Sequence, residues 1–370
     1  MCHKQLLKAQ PPISMCAVKT WYCHIPGSER SYRITTLRRI LPFITAFLFL
    51  WFSVPIRAAE SGYHVAHREI LVGDVKWDYL TYEKGSRRLF ITRGDHVDVY
   101  DTMSGQIAGT IADTPGVHGV ALAPELNKGF ASNGRANTVT IFDLRSLKAL
   151  GTLPTEKKPD AIVYDAFTRR IFAANGESGS LTVIDAVKSE AIATIVVGGK
   201  LEFMAADGRG KLYVNIQDGN ALAVVDTVTL ALVARYDLSL SCNEPTGLSI
   251  DAATERLFVG CRNQKMAVVS GKTGDILATV PIGKGCDATA YDSALQLAFS
   301  SNGEGTLTII SAETYSVQQT LVTQPTARTM ALDDINRRIY TVAAEVEMPG
   351  SAGVRPKLKP GTFTLLTVSR

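Results

Sequence analysis

After residue 60 the sequence has no window in which apolar residues recur at helical spacing, which excludes helix bundles and alternating strand–helix folds. Histidine is scarce, with only His64, His67, His96 and His118 beyond that point. So thin a scatter excludes a copper centre, which would need several inward imidazoles. His64 and His67 are three apart, a spacing that on a regular strand places them on opposite faces and argues against a shared zinc ion. No Cys-x-x-Cys-His occurs, so covalent haem is excluded. Neither a Gly-x-Ser-x-Gly elbow nor a phosphate loop is present, and pairs such as Gly271-Lys272 fall in turns with no helix after them.

An excess of positive charge is also missing from most of the chain. The formal net charge of +4 is carried by the first 58 residues, which hold eight Lys or Arg against Glu29 alone. The remainder keeps 31 of the 39 basic and 34 of the 35 acidic residues, a balance of −3. That argues against nucleic acid as a partner, since such binding needs a basic field. Arg355-Pro356-Lys357-Leu358-Lys359 is the best local basic patch, and it reads first as a solvated loop.

What the sequence does contain is a repeat. Six segments end alike: Val97 to Asp101, Val139 to Asp143, Leu181 to Asp185, Leu222 to Asp226, Met266 to Ser270 and Leu307 to Ser311, their last residues 42, 42, 41, 44 and 41 apart. Short strands recurring at such a period are the mark of propeller blades of four strands each. In the third copy, strands are expected over 160–165, 171–174, 180–184 and 191–197, separated by polar turns. A seventh copy opens at Leu332-Asp333, continues through 338–342 and ends in the run 363–369. Its fourth strand is expected at the other end of the chain, over 68–73, so that pairing of the termini closes the ring. The fold class is therefore all-β: one seven-bladed propeller over 59–370, with almost no helix.

Residues 1–58 read as an export segment. Arg38-Arg39 precede the apolar run 40–54, and small residues Ala58-Ala59 follow, the pattern of a secretory signal cleaved near there. Retention as an anchor is the alternative, although 15 apolar residues are short for a membrane span. Either way the propeller is expected outside the cytoplasm, periplasmic or extracellular, as a monomer. Of six cysteines, Cys242, Cys261 and Cys286 fall in the propeller. An oxidising compartment would join two of them, either Cys242 with Cys261 in one blade or Cys261 with Cys286 in the next.

The segments Phe130 to Asn133, Phe172 to Asn175 and Phe299 to Asn302, with Thr138 to Asp143, repeat an F-x-x-N and a T-V-x-I-D pattern. With Glu244 to Leu248, Ala327 to Asp333 and Pro360 to Phe363, they make residues 64–370 resemble the YVTN-repeat, YncE-like family of exported bacterial seven-bladed propellers. The resemblance implies a binding or accessory protein, and it favours the Cys242–Cys261 pair with Cys286 left over.

Alignment of the blades puts one residue of each at the start of the inner strand, on the face where the channel opens: Asp78, His118, Asp160, Glu202, Thr246, Asp287 and Arg328. Carboxylates gathered about one axis raise one another's pKa values or recruit a cation. Asp78, Asp160, Glu202 and Asp287 are the candidate ligands, and oxygen donors favour Ca²⁺ or Mg²⁺. A hydrated polar rim, with Arg328 absorbing the charge, is the plainer account of the same residues. The loop from Glu345 to Pro360 interrupts blade seven on that face and is expected to act as a lid or a partner contact. Three functions follow in order of preference: a non-enzymatic scaffold binding a small ligand or protein at the channel mouth; a metal-dependent lactonase-like hydrolase built on the carboxylates; and a single-stranded nucleic-acid binder.

Overall fold

The computed structural model describes residues 62–73, 76–347 and 357–370. Residues 1–58, read above as an export segment, lie outside them with Cys2, Cys16 and Cys23. The described residues form seven four-stranded antiparallel blades, numbered here from Leu80–Glu83 onward. Their one helical element is a 3-10 turn at Pro124–Leu126.

Blade three shows why the repeat makes strands. Its strands are Pro159–Asp165, Arg170–Asn175, Ser180–Asp185 and Glu190–Val196, within a residue of the sequence reading. The two middle strands are buried on both faces, because each blade is sandwiched between two others. They therefore read as continuous apolar runs, whereas the outer strand is largely exposed. The Phe of F-x-x-N is the centre of this packing: Phe130, Phe172 and Phe299 are fully buried, as is Phe258, whose blade carries Cys261 in place of the Asn. Removing such a side chain from water is worth about 1.5–3 kcal/mol.

Both polar letters of the repeat are explained by hydrogen bonds. The Asn175 amide donates to the hydroxyls of Ser180 (3.1 Å) and Thr182 (3.0 Å), locking the loop between second and third strands. Asn133 does the same with Thr138 and Thr140, and Asn302 with Thr306 and Thr308. The closing Asp of T-V-x-I-D accepts backbone N–H groups two and three residues on. Asp143 takes those of Arg145 (3.0 Å) and Ser146 (2.7 Å), a local turn that ends the strand.

The ring closes as expected, with a shifted register. His64–Ile70 pairs antiparallel with Thr364–Ser369, and the blade order runs outward from Met330–Asp333 through Arg338–Ala343. The closing strand begins earlier than the sequence indicated and stops at Ile70; Leu71 adds one bond, its N–H to the Phe363 carbonyl at 2.8 Å. A bulge between Val65 and His67 changes the facing of the histidines. His64 lies opposite Ser369 and His67 opposite Thr367, so the two share a face, and both are exposed. The opposite-face expectation fails because it assumed an unbroken pleat.

Cys242 and Cys261 form a disulfide with Cα atoms 5.3 Å apart, and Cys286 is free and buried. In the blade-seven insertion, Val346–Glu347 pairs with Lys357–Leu358. Lys359 Nζ lies 3.0 Å from Glu345 Oε2, so the described part of the basic patch is folded into a short hairpin. Arg355 and Pro356 lie outside the described residues.

Candidate ligand site at the channel mouth

Five of the seven ring residues are held at their carbonyls by the blade before them. The Ser132 hydroxyl donates to the Asp160 carbonyl (2.5 Å), the Asn215 amide to that of Thr246 (2.8 Å), Ser301 to that of Arg328 (2.5 Å) and Thr329 to that of Asp78 (2.8 Å). The Tyr79 N–H donates to the His118 carbonyl at 3.0 Å. At the ring position itself the pairing register breaks, between Val117 and Val120, Pro159 and Ile162, Leu201 and Met204, Pro245 and Leu248, and Cys286 and Ala288. Such irregularities re-aim side chains, here at the start of the inner strands.

A cavity of about 460 Å³ opens there, lined in part by Asp78, Tyr79, Asp160, Glu202, Asp287 and Arg328. A second, of about 360 Å³, shares Asp78 and Arg328 with it and adds His118, Trp77, Arg135 and Leu358. Six of the seven ring residues therefore line one cavity or the other. Thr246 does not: it is buried, and its hydroxyl donates to the Cys286 carbonyl at 2.7 Å, tying blade five to blade six. Leu358, from the insertion, lines the cavity beside His118, so the base of that insertion reaches the mouth.

The charges are only partly balanced. Arg328 Nε donates to Asp287 Oδ2 at 2.8 Å, with the guanidinium 5.5 Å from the Trp77 ring centre. Lys200 Nζ, two residues before Glu202, reaches its carboxylate at 2.8 Å and also meets Gln217. Asp78 and Asp160 share His118, whose Nδ1 is 2.6 Å from Asp78 Oδ2 and 3.6 Å from Asp160 Oδ1, and Arg328 Nη2 stands a longer 3.9 Å from Asp78 Oδ1. The four candidate carboxylates thus divide, two held by cations and two gathered on one imidazole. His118 is held in place from behind by Gly134, where a Cβ would sit 2.7 Å from ring atoms Cδ2 and Nε2.

Burial and mutual repulsion show in the acidities. Desolvation is the larger cause for Asp160, raising it to about 7 against the opposing pull of His118, with Asp78 and Glu202 pushing the same way as burial. Asp287 rises to about 6, again through burial first, although Arg328 draws it down. Burial pulls His118 down, but the Asp78 hydrogen bond and the charges of Asp160 and Asp78 carry it above its ordinary value. The Cys286 thiol is pushed up to about 12 by burial and is a poor nucleophile.

Tyr79 is the site residue that the blade alignment missed. It follows Asp78 directly, is buried, packs edge-on against Phe203 at 4.9 Å, and its phenol is pushed well above its usual value by burial and by all four carboxylates. The available signal was an aromatic at a place where five of the other six blades carry a small residue, Gly119, Ala161, Gly247, Ala288 or Thr329, the sixth carrying Phe203.

With that geometry in place, comparison with known proteins bears on the fold. No family model matches the chain, and no curated protein matches it. Among solved structures, U3-55K superposes with a TM-score of 0.69 at 11% identity, over 82% of this chain and 99% of that one. The hydrazine synthase of Kuenenia stuttgartiensis gives 0.64 at 13% identity, over 73% and 94%. At such identities the likeness is one of architecture: this chain is a seven-bladed β-propeller.

Proposed function

We propose that the protein is an exported propeller of the YVTN-repeat type that binds a positively charged ligand, or a basic segment of a protein partner, at the channel mouth. The observation that carries this reading is the gathering of four carboxylates there, one of which, Asp160, is buried with an oxygen that makes no hydrogen bond. Arg328 and Lys200 pair closely with Asp287 and Glu202, whereas Asp78 and Asp160 share one imidazole, Asp78 having Arg328 besides at 3.9 Å. A buried, incompletely paired carboxylate is costly and is relieved by an incoming cation. Tyr79 adds an aromatic ring to the same wall, which suits an organic cation. The Cys242–Cys261 bridge suits an oxidising compartment, as an exported protein requires.

Titration with spermidine and choline as cationic probes tests the reading. Asp160→Lys and Glu202→Lys are expected to weaken binding at least about tenfold, one or more ion pairs' worth at about 1.4 kcal/mol per decade. Arg328→Glu should leave binding intact or strengthen it. If these reversals leave every detected binding event unchanged, the mouth is not the binding face. A second reading, a metal-dependent lactonase-like hydrolase, is favoured by the elevated Asp160 carboxyl, placed where proton transfer near neutral pH is effective. Lactone turnover abolished by EDTA would support it; turnover indifferent to chelator would remove it.

A further inference from the structure

We propose, on the footing that the mouth is a binding face, that Asp78, His118 and Asp160 form a site for a divalent transition ion, Zn²⁺ or Mn²⁺. Three successive blades each supply one donor, and the three donor atoms lie within 4.8 Å of one another. Donors about 2.1 Å from a common ion stand roughly 3–3.5 Å apart. The two separations to His118 Nδ1, 2.6 and 3.6 Å, bracket that range, and with every donor inside 4.8 Å the two carboxylates need only close about the imidazole to complete the site.

An independent observation points to a missing partner. Asp160 is only 9% exposed, and its Oδ1, facing His118 Nδ1 at 3.6 Å, makes no hydrogen bond. Buried carboxylate oxygens are normally satisfied, and this one is not. Its neighbours are already committed elsewhere: Glu202 to Lys200 and Asp287 to Arg328. An ion bound through Oδ1 satisfies it directly.

The donor set also selects the ion. One imidazole nitrogen with two carboxylate oxygens suits Zn²⁺ or Mn²⁺, whereas Ca²⁺ takes six to eight oxygens and Mg²⁺ prefers oxygen and water. Coordination through Nδ1 requires that nitrogen to be free of its proton. The proton now shared with Asp78 leaves to solvent and the ring keeps its hydrogen on Nε2. The ion's remaining positions, turned toward the cavity, would take water or an anionic group of a ligand.

Calorimetric titration of the chelator-stripped protein with ZnCl₂, MnCl₂, CaCl₂ and MgCl₂ is the test, with thermal unfolding followed alongside. One Zn²⁺ or Mn²⁺ per chain is expected, raising the unfolding midpoint by several degrees. Loss of a ligand should weaken binding more than loss of an outer partner, so His118→Ala, Asp160→Asn and Asp78→Asn should each cost at least about 100-fold. His67→Ala, which removes one of the exposed His64 and His67 pair, should not change it. The unsubstituted protein alone decides the stoichiometry, so a variant that misfolds does not spoil the test. Absence of one-to-one binding, binding untouched by His118→Ala, or binding lost in His67→Ala overturns the site. Binding of Ca²⁺ or Mg²⁺ lost in Glu202→Gln overturns it as well. Spermidine or choline binding that survives these outcomes would leave the wider acidic face standing.

Discussion

Removal of residues 1–73 is expected to abolish the cooperative fold. Thr364–Ser369 is mostly buried and bonds on both edges, to Arg338–Ala343 on one side and His64–Ile70 on the other. Without its outer partner, blade seven keeps three strands and presents a buried, apolar strand as an open edge, a template for aggregation. The loss is comparable to the whole stability of a domain, about 5–15 kcal/mol. Gel filtration and thermal unfolding by circular dichroism should show aggregate and no sharp transition, with partial recovery on adding a peptide of residues 62–73. A soluble monomer with an unchanged midpoint would contradict closure by the terminal strand.

Arg93→Met is expected to cost about 3–5 kcal/mol, the usual effect of stripping one partner from a buried ion pair. The Arg93 side chain is fully buried, and its Nη1 lies 2.8 Å from Asp98 Oδ2. Its Nη2 reaches toward the Val72 carbonyl at 3.4 Å, and the guanidinium lies 4.0 Å from the Phe363 ring centre. One side chain of blade one thus touches both chain ends where the ring closes. Urea unfolding of Arg93→Met, Asp98→Leu and the double variant should show the double costing well under the sum, because no unpaired charge is left behind. Strict additivity would show that the pair is not coupled.

The architecture was legible because each blade repeats the same local solutions: a buried Phe, an Asn bonded to two hydroxyls, and an Asp that ends the third strand in a turn. These are local, so they survive as spacing. The ring was legible for the same reason, since Asp160, Glu202 and Asp287 hold equivalent places in the inner strands of blades three, four and six. What spacing does not encode is contact between blades. Thr246 holds a ring position but spends its hydroxyl on the Cys286 carbonyl, a bond set by where the next blade lies. Likewise, that Lys200 and Arg328 answer Glu202 and Asp287, leaving Asp78 and Asp160 on His118, depends on side-chain reach around the axis. The bulge beside His67 is a further case: one residue out of register reverses a face, and no composition marks it.

Both proposals depend on carboxylates buried at the mouth, Asp160 above all, and the pH dependence of stability in EDTA tests this most directly. Asp160 at about 7 and Asp287 at about 6 lie above an unfolded value of about 3.9, so between those limits the native state holds the extra protons. Stability should therefore fall as pH rises from about 4 to 7.5, by as much as about 7 kcal/mol if the two carboxyls act independently. The elevated His118 adds the same sign, its stabilising share being present below about 6.5 and lost as pH rises through its folded value. Denaturant unfolding across that range should show the decline, and Asp160→Asn with Asp287→Asn should flatten most of it. Stability that rises with pH over the same window, as it does for well-paired carboxylates, would contradict the account.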